Sequence, residues 1–230
     1  MAKRPVFITK KEYPYFEMVE IEFEYFNGFA VTQKQKSIRA LHKEFAEMFP
    51  NKKVLEVSTK SVSELGISLS AFNLKMSVNG KVVSVECVFQ GSKKFEKGGP
   101  YTDILELMPW EAKKDKRLKE SGELKEFILN GKSFSNEPKD LFYNRIYIKA
   151  LSEQPESIKK IITYDAFTDI EFNPKKSLNC QAKALAIATG LIQAGLWDLC
   201  LVDRDQFLST VYRQETPEKY EQMSFFSSVM

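Results

Sequence analysis

The sequence predicts an α+β fold, in which a compact and mostly helical body surrounds a small β-sheet. Short alternating segments with turn signals are interleaved with at least five segments of helical periodicity. The composition, with 43% hydrophobic and 28% charged residues, is that of an ordinary globular protein. At roughly 150 residues per domain, 230 residues correspond to about 1.5 domains. One large core with added segments therefore fits better than two full domains.

The first predicted elements are a strand and a helix. Residues 19–25 alternate apolar and acidic side chains, which indicates a half-exposed strand, and an Asn-Gly pair then predicts a turn. Thr32 and Gln35 form a capping-box signature, and apolar residues follow at helical spacing. We therefore expect a helix from Thr32 to Phe49. Its other face is lysine-rich, and such a face is more often solvated than bound to phosphate.

The middle of the chain is predicted to contain a strand, a hairpin and a central helix. Residues 54–58 read as a short strand and residues 63–70 as a loop. A hairpin that turns at Asn79-Gly80 leads directly into a helix over residues 85–97, whose apolar positions face a core. A Gly-Gly-Pro run ends that helix.

The C-terminal half is predicted to be mainly helical. Residues 177–194 contain Lys183 as their single charged residue, which indicates a largely buried helix, and Gly195 is suited to end it. Residues from Leu196 onward mix charged and aromatic side chains and are expected to form a docked arm that ends in Phe225-Phe226. Four further kinds of element are expected between residues 97 and 177. Pro109 is suited to start a short helix that is followed by a basic cluster, and residues 127–134 predict a hairpin. Pro138 and Pro155 each open a helix, and residues 164–176 read as a polar loop.

Charge and cysteine content narrow the possible functions. A net charge of +3 is too small for bulk electrostatic binding of nucleic acid, so any such contact must be local. Three scattered cysteines without a CxxC pair predict reduced thiols in a cytoplasmic protein. His42 is the single histidine, so the sequence indicates neither a metal site nor a cofactor. We expect no signal peptide and no membrane span, since no 18 apolar residues run uninterrupted.

One face of the predicted helix over 85–97 carries polar side chains that a core helix does not need. At 100° per residue, its members lie within an arc of about 100°. A carboxylate, a carboxamide and an ammonium beside an aromatic ring can hold a polar ring and transfer protons. A solvated Glu–Lys helix pair is the alternative, and the pattern alone does not separate the two. The four residues are Glu86, Phe89, Gln90 and Lys93.

The polar segment over 164–179 is the second candidate site. It places three carboxylates, Asp165 and Asp169 among them, ahead of Lys175 and Lys176 at the start of the predicted buried helix. A helix N-terminus offers free backbone N–H groups to a phosphate, although an N-cap with solvated lysines is the plainer alternative. No Walker-type or GxGxxG motif is present, so nucleotide sites of those kinds are not indicated.

Several short segments, taken together, resemble the signature of one known family. They are Leu-Ser-Ala-Phe-Asn-Leu over 69–74, the Asn79-Gly80 hairpin, Val-Glu-Cys-Val-Phe-Gln-Gly-Ser-Lys over 85–93, Asp-Ala-Phe over 165–167, and Asn179. Their order and spacing are similar to those of the NADAR family, in which a Ser-Asn-Phe-like turn and a hairpin precede a Glu-His-x-Phe-Gln-Ala-x-Lys-like helix. An Asp-Ala-Tyr-like loop and an Asn then lead to the last helix.

The resemblance covers about residues 54–195 and has visible departures. Ala71, Cys87 and Phe167 replace the usual Asn, His and Tyr, and Thr168-Asp169 stand where Trp-Gly is usual. These changes bear on the substrate more than on the reaction class. Segments 28–38 and 95–103 look more like the branch of antitoxins that are paired with DNA-targeting ADP-ribosyltransferase toxins. The resulting division is an N-terminal strand-helix extension (1–53), a NADAR-like catalytic domain (54–195) and a C-terminal arm (196–230).

The resemblance implies an N-glycosidase that removes ADP-ribose from guanine in DNA, with ADP-ribose as product and a cognate toxin as partner. It implies Glu86, Lys93 and Asp165 as catalytic residues. Glu86 would stabilise an oxocarbenium-like centre, and Lys93 would orient Glu86, protonate the leaving base or form a Schiff base. The implied substrate-binding residues are Ser70, Phe72, Phe89, Gln90, Asp169, Lys175 and Asn179.

Two other functions stay open from the sequence. An N-glycosidase acting on a small metabolite, such as a glycosylamine intermediate of riboflavin synthesis, would use the same residues. Basic residues outside the signature argue against it, because a metabolite enzyme needs no surface that faces DNA; they are Lys34, Lys36, Lys113 and Lys116. A non-catalytic ADP-ribose-binding module is the third function, and the presence of both Glu86 and Lys93 speaks against it.

Overall fold

The computed structural model describes residues 1–175 and 177–213, and it confirms the predicted α+β class. Its main sheet consists of β1 (Ala2–Thr9), β2 (Phe16–Phe23), β3 (Val54–Glu56) and β9 (Ala166–Thr168). The strand order is β2-β1-β9-β3. Strand β1 is antiparallel to β2 and to β9, whereas β3 runs parallel to β9. The N-terminal segment, expected to be an extension, therefore supplies two strands of the main sheet.

Helices and two smaller sheets surround this sheet. Hairpin β4 (Lys75–Val78) and β5 (Lys81–Ser84) stands alone, and β6 (Lys93–Phe95), β7 (Leu124–Leu129) and β8 (Lys132–Ser135) form a three-stranded sheet. The helices are α1 (Val31–Met48), α2 (Glu64–Ser68), α3 (Val85–Gly91), α4 (Pro109–Ala112), α5 (Arg117–Glu120), α6 (Leu141–Ser152), α7 (Pro155–Ile161), α8 (Gln181–Gln193), α9 (Trp197–Val202) and α10 (Arg204–Tyr212), with a 3-10 turn at Thr102–Glu106.

The main sheet separates two apolar clusters, because successive side chains of a strand point to opposite faces. Phe7 and Phe167 lie on the face that packs against α6 and α8. Val6, Ile8 and Ala166 lie on the other face, against the buried side of α1. Strand β9 is consequently buried on both faces, and it delivers the residue that follows it, Asp169, into the interior of the molecule.

Two segments that were predicted to be loops contain regular structure. The segment over 164–176 includes β9, whose three residues are too few for a periodic signal and are held in extended form by β1 and β3 on either side. The segment over 63–70 includes α2. Gly66 of this helix packs so closely that a Cβ atom there would lie 2.0 Å from the carbonyl oxygen of Glu56. Both predictions were wrong because the deciding contacts are distant in sequence.

Three predicted helix boundaries were also wrong. Helix α1 begins at Val31 after an Ala30 N-cap that makes no side-chain bond, so Thr32 lies inside the helix and forms no capping box. Helix α3 ends at Gly91, because residues 93–95 leave it to pair with β7. Helix α8 begins at Gln181, so the residues before it form a loop.

The hairpin turns were predicted correctly. Asn79-Gly80 and Asn130-Gly131 all have positive φ angles between 49° and 78°, which Asn and Gly adopt more readily than other residues. Of the predicted C-terminal arm, α9 and α10 pack against the core cluster through Cys200 and Phe207. Its end at Phe225-Phe226 lies outside the described residues. None of the described helices is long and apolar enough to cross a membrane.

Candidate active site

Helix α3 is buried along its whole length and forms one wall of a cavity of about 320 Å³. The hydroxyl of its N-cap, Ser84, accepts a hydrogen bond from Cys87 N at 3.2 Å. One turn later, Gln90 Nε2 donates to Glu86 Oε1 at 2.9 Å, and Gln90 Oε1 accepts from Lys93 Nζ at 2.7 Å. The amide thus links a carboxylate to an ammonium. We call Glu86, Phe89, Gln90 and Lys93 the α3 wall.

Lys93 joins this wall although it lies in β6 and not in the helix. Its ammonium lies 4.5 Å from the centroid of the Phe89 ring. Burial lowers the pKa of Lys93 to about 8; the negative charge of Glu86 opposes this shift and the positive charge of Lys113 adds to it. About a tenth of the amine is therefore neutral at pH 7, which is enough for a nucleophile.

Aromatic packing fixes the position of the α3 wall. The Phe89 ring lies 5.5 Å from that of Phe127 and meets Tyr143 edge-on at 5.3 Å. Behind it, Phe127 and Phe142 stack at 4.3 Å. Such contacts hold a ring in place through area and geometry together. Phe89 is thus only 7% exposed, although it lines the cavity.

The opposite side of the cavity is built from β3 and β9. Ser58 Oγ donates to Glu56 Oε1 at 2.7 Å, and Thr168 Oγ1 donates to Glu56 Oε2 at 2.6 Å. Ile170 N also donates to Glu56 Oε1, at 2.9 Å. We call Glu56, Ser58, Thr168 and Asp169 the sheet wall. Glu56 was not singled out from the sequence, where its one signal is a charge within the apolar run Val-Leu-Glu-Val.

Two buried carboxyl groups in the sheet wall have no cation beside them. Burial, and then the proximity of Glu56, raise the pKa of Asp169 to about 8. Burial likewise raises the pKa of Glu56. Within residues 1–175 and 177–213 neither group forms an ion pair. His42 Nε2 lies 2.8 Å from Thr168 Oγ1, but burial lowers its pKa to about 4, so it is neutral. The sheet wall therefore retains a proton at pH 7.

The Ser-Ala-Phe turn over 70–72 closes the cavity between the two walls. Ala71 N donates to Gln181 Oε1 at 2.7 Å, and Ala71 O accepts from Glu86 N at 2.9 Å. The hydroxyl of Ser70 donates to Ile67 O at 2.7 Å, so it is engaged within its own turn. Phe72 lies at the rim, with Lys113 Nζ 5.5 Å from its ring centroid. An aromatic face at a cavity rim is suited to stacking on a base.

A second cavity, of about 730 Å³, adjoins the first. The two share Phe89, Gln90, Ser177 and Asn179 in their walls. Three lysine and two glutamate side chains, Glu123 and Glu137, line the second cavity, and the lysines are the groups in it that are suited to phosphate. These lysines are Lys93, Lys139 and Lys175.

Of the ten catalytic and substrate-binding residues that the family resemblance implies, nine line one or both of the two cavities. Lys175 and Asn179 line these cavities from the loop before α8 and not from a helix start, and Lys176 lies outside the described residues. Asp165 is the exception. Its Oδ2 accepts from Lys53 N at 2.8 Å, at the opposite end of β9 from Asp169, and it lines neither cavity. The implied site residues that line the first cavity are Ser70, Phe72, Glu86, Phe89, Gln90, Asp169 and Asn179.

Two of the basic residues expected to face DNA are engaged elsewhere. Lys34 Nζ lies 2.8 Å from Tyr25 Oη and 3.4 Å from Glu171 Oε1. Lys36 lies over the ring of Phe26 at 5.9 Å. Lysines of α1 are thus used partly within the protein, whereas Lys113 lines the first cavity.

The comparison with known families covers nearly the whole chain. The family model described as DarT1-associated NADAR antitoxin matches residues 2–221. No curated protein matches the sequence. The matched range includes residues 2–53, in agreement with the place of β1 and β2 in the main sheet. Among the described residues, no group of three or more His, Cys, Asp or Glu is placed to hold a metal ion.

Proposed function

The chain belongs to the family of DarT1-associated NADAR antitoxins, and we propose that it is an N-glycosidase that removes ADP-ribose from guanine bases in DNA. Such a reaction would reverse the modification made by a cognate ADP-ribosyltransferase toxin. One observation carries the proposal. A buried carboxylate, Glu86, is joined through Gln90 to the amine of Lys93, whose pKa is lowered to about 8, at the junction of two cavities.

In the proposed complex, each of the two cavities holds a different part of the substrate. The modified guanine enters the first cavity, where Phe72 offers an aromatic face at the rim. The diphosphate of ADP-ribose lies in the second cavity, near Lys139 and Lys175. The bond between the base and C1 of the ribose then lies at the shared boundary, next to Gln90. This placement uses the lysines of the second cavity for phosphate and the aromatic rim of the first cavity for the base.

The carboxylate and the amine have separate tasks in the reaction. Glu86 stabilises the positive charge that develops at C1 as the bond to the base nitrogen breaks. The neutral amine of Lys93 adds to C1 as the base departs, and one of its two N–H protons passes to the departing base nitrogen. The second N–H proton passes to the ring oxygen as the bond between C1 and that oxygen breaks, which opens the ribose and leaves an imine between Lys93 and C1. Water then hydrolyses the resulting imine, which releases ADP-ribose and regenerates the amine. Gln90 keeps Glu86 and Lys93 in position through its two hydrogen bonds.

Asp169 acts as a hydrogen-bond donor. A pKa near 8 keeps its carboxyl group protonated at neutral pH, so it can donate to a ribose hydroxyl or hold a water molecule. Its Oδ1 accepts from Glu171 N at 3.0 Å, and the side chain of Gln181 also hydrogen-bonds to this carboxyl group. Asp165 has no part in the proposed reaction, because the length of β9 separates it from the cavity.

The proposal is tested with three substrates. The purified protein is incubated with an oligonucleotide that carries ADP-ribosylated guanine, with the free ADP-ribosylated nucleoside, and with a glycosylamine metabolite, and ADP-ribose or sugar release is followed. We expect release from the oligonucleotide. Turnover of the metabolite alone would favour a small-molecule N-glycosidase, and binding without turnover of any substrate would favour an ADP-ribose-binding module.

The Schiff-base step has its own test. Borohydride reduces an imine to a stable amine, so treatment during turnover is expected to attach ADP-ribose covalently to the protein, at Lys93 by mass spectrometry of peptides. Lys93→Ala should give no adduct, whereas Lys94→Ala, the matched change at the neighbouring lysine of the same strand, should give as much as the parent. An adduct that persists in Lys93→Ala would exclude this lysine as the nucleophile.

A further inference from the structure

Beside the first cavity lies a surface of which the proposed reaction uses one charge, that of Lys113. It consists of Met108, Trp110, Lys113 and Lys114, and we call it the α4 surface. Met108 is 59% exposed and Trp110 is 53% exposed. A single exposed apolar residue is ordinary, but here an indole and a thioether lie next to two lysines. Because residues three and four apart on a helix are neighbours, Trp110 has Lys113 and Lys114 on its own side of the turn.

The α4 surface is rigidly attached to the α3 wall. Ala112 is fully buried and anchors α4 against α3. The thiol of Cys87 donates to Leu107 O at 3.2 Å, and burial raises the pKa of this thiol, so it keeps the proton it donates. Glu111 Oε2 accepts from Met108 N at 3.1 Å. Cys87, which stands where the family usually has His, therefore ties the surface to the helix that carries Glu86.

The charges on this surface are available to a partner. Lys114 Nζ lies 5.9 Å from the Trp110 ring centroid. Among the described residues, neither Lys113 nor Lys114 forms an ion pair. The nearby carboxylate of Asp115 is already engaged, with Arg117 Nη2 at 2.7 Å. A positive surface with an exposed aromatic face is complementary to a phosphate backbone with unstacked bases.

Resting on the proposed function, we propose that the α4 surface binds single-stranded DNA next to the modified guanine. A neighbouring base stacks on Trp110, and the adjoining phosphates contact Lys113 and Lys114. The bases of a duplex are stacked on both faces, so a base can cover Trp110 only when the strand is single. Lys113 lines the first cavity as well, so the strand would continue from the cavity onto this surface without a gap.

The first test reports on Trp110 directly. The sequence has two tryptophans, and Trp197 packs on the core from α9, so a Trp197→Phe variant leaves Trp110 as its single tryptophan. Titration with an unmodified single-stranded oligonucleotide is expected to quench its fluorescence, with weaker binding as salt increases. The matched Trp110→Phe variant, in which only Trp197 is observed, should show no quenching. A duplex of the same sequence should quench less.

The second test measures the consequence for turnover. For Trp110→Ala, the ratio of kcat/KM on a modified oligonucleotide to that on the modified nucleoside should fall about tenfold, as loss of one stacked base would produce. Lys160→Ala, a change at an exposed lysine on α7, serves as the matched surface control and should not lower the ratio. A general loss of activity caused by misfolding lowers kcat/KM on both substrates equally, so it leaves the ratio unchanged.

The outcomes separate the inference from the function on which it rests. Turnover of the modified oligonucleotide with no quenching and an unchanged ratio would overturn the α4 surface while the proposed function stands. Quenching without turnover of any substrate would support the surface and overturn the glycosidase. If the purified cognate toxin changes the fluorescence of Trp110 and the oligonucleotide does not, the surface binds the toxin and our inference is wrong.

Discussion

The α3 wall and the sheet wall both contain buried carboxyl groups, but the groups differ in the charges around them. In the α3 wall, Glu86 is linked through an amide to the ammonium of Lys93. In the sheet wall, Glu56 and Asp169 face each other, and their pKa values are raised. A buried carboxylate with a cation keeps its charge, whereas one without a cation keeps a proton. The site thus combines a carboxyl group that is linked to an ammonium, Glu86, with one that holds a proton at neutral pH, Asp169.

The largest predicted effect compares the same chemical change in the two walls. In the proposed reaction Glu86 stabilises the charge at C1, so we expect Glu86→Gln to lower ADP-ribose release about 10³-fold. Asp169→Asn replaces a protonated carboxyl group by an amide that also donates, so the rate at pH 6.5 should fall by less than about tenfold. Single-turnover assays on the modified nucleoside measure both. Equal losses in the two variants would show that the walls do not differ in charge as we infer.

The second prediction concerns folding stability. Asp169 has a pKa of about 8 in the folded protein against an ordinary value of 3.8, so between these values the folded state holds a proton that the unfolded state has released. The free energy of unfolding should therefore decrease as pH rises from about 5 to 8, by at most about 1.4 kcal/mol per pH unit for this proton. Asp169→Asn should flatten that dependence in urea denaturation.

The matched control for this prediction is Asp165→Asn, at the other end of the same strand. Its carboxylate is half-exposed and bonded to a backbone N–H, so the change should leave the slope close to that of the parent. A slope that is the same in the parent and in Asp169→Asn would contradict a proton held in the sheet wall.

The smallest predicted effect concerns the pKa of Lys93 in the α3 wall. The charge of Lys113 helps to lower the pKa of Lys93. Lys113→Met should therefore raise that pKa, by less than about one pH unit for two charges in a partly solvated site. Because the reaction needs the neutral amine, the rising limb of rate against pH should move to higher pH, and the rate at pH 7 on the modified nucleoside should fall. Lys114→Met, farther along the α4 surface, should move this limb less.

Sequence reasoning succeeded where the deciding residues are close together in the chain. The hairpin at Asn79-Gly80 and the polar face that starts at Glu86 were both predicted from local patterns. Even so, Lys93 reached that face by another route, because pairing of β6 with β7 ended the helix early. A long side chain spans the difference between a helix and a strand, so the predicted cluster survived an error in the backbone.

Predictions from the sequence were wrong where strands from distant segments pair. Asp165 and Asp169 looked equivalent within a polar loop, but β9 lies between them and places one at the surface and the other in the cavity. Glu56 was not predicted as a site residue, because in the sequence it is a single charge in an apolar strand. Its importance follows from Thr168, 112 residues away, whose hydroxyl it binds. No periodicity in either segment records that pairing.

By itself, the sequence determined the α+β class, the family resemblance and the α3 wall, because Glu86, Gln90 and Lys93 lie within eight residues and side-chain reach brings them together. Only the tertiary structure decided the sheet wall, the exclusion of Asp165 and the position of the α4 surface beside the cavity. Each of these depends on which strands pair and which helices pack, and those contacts are selected by the burial of the whole core and not by the residues that adjoin them in the chain.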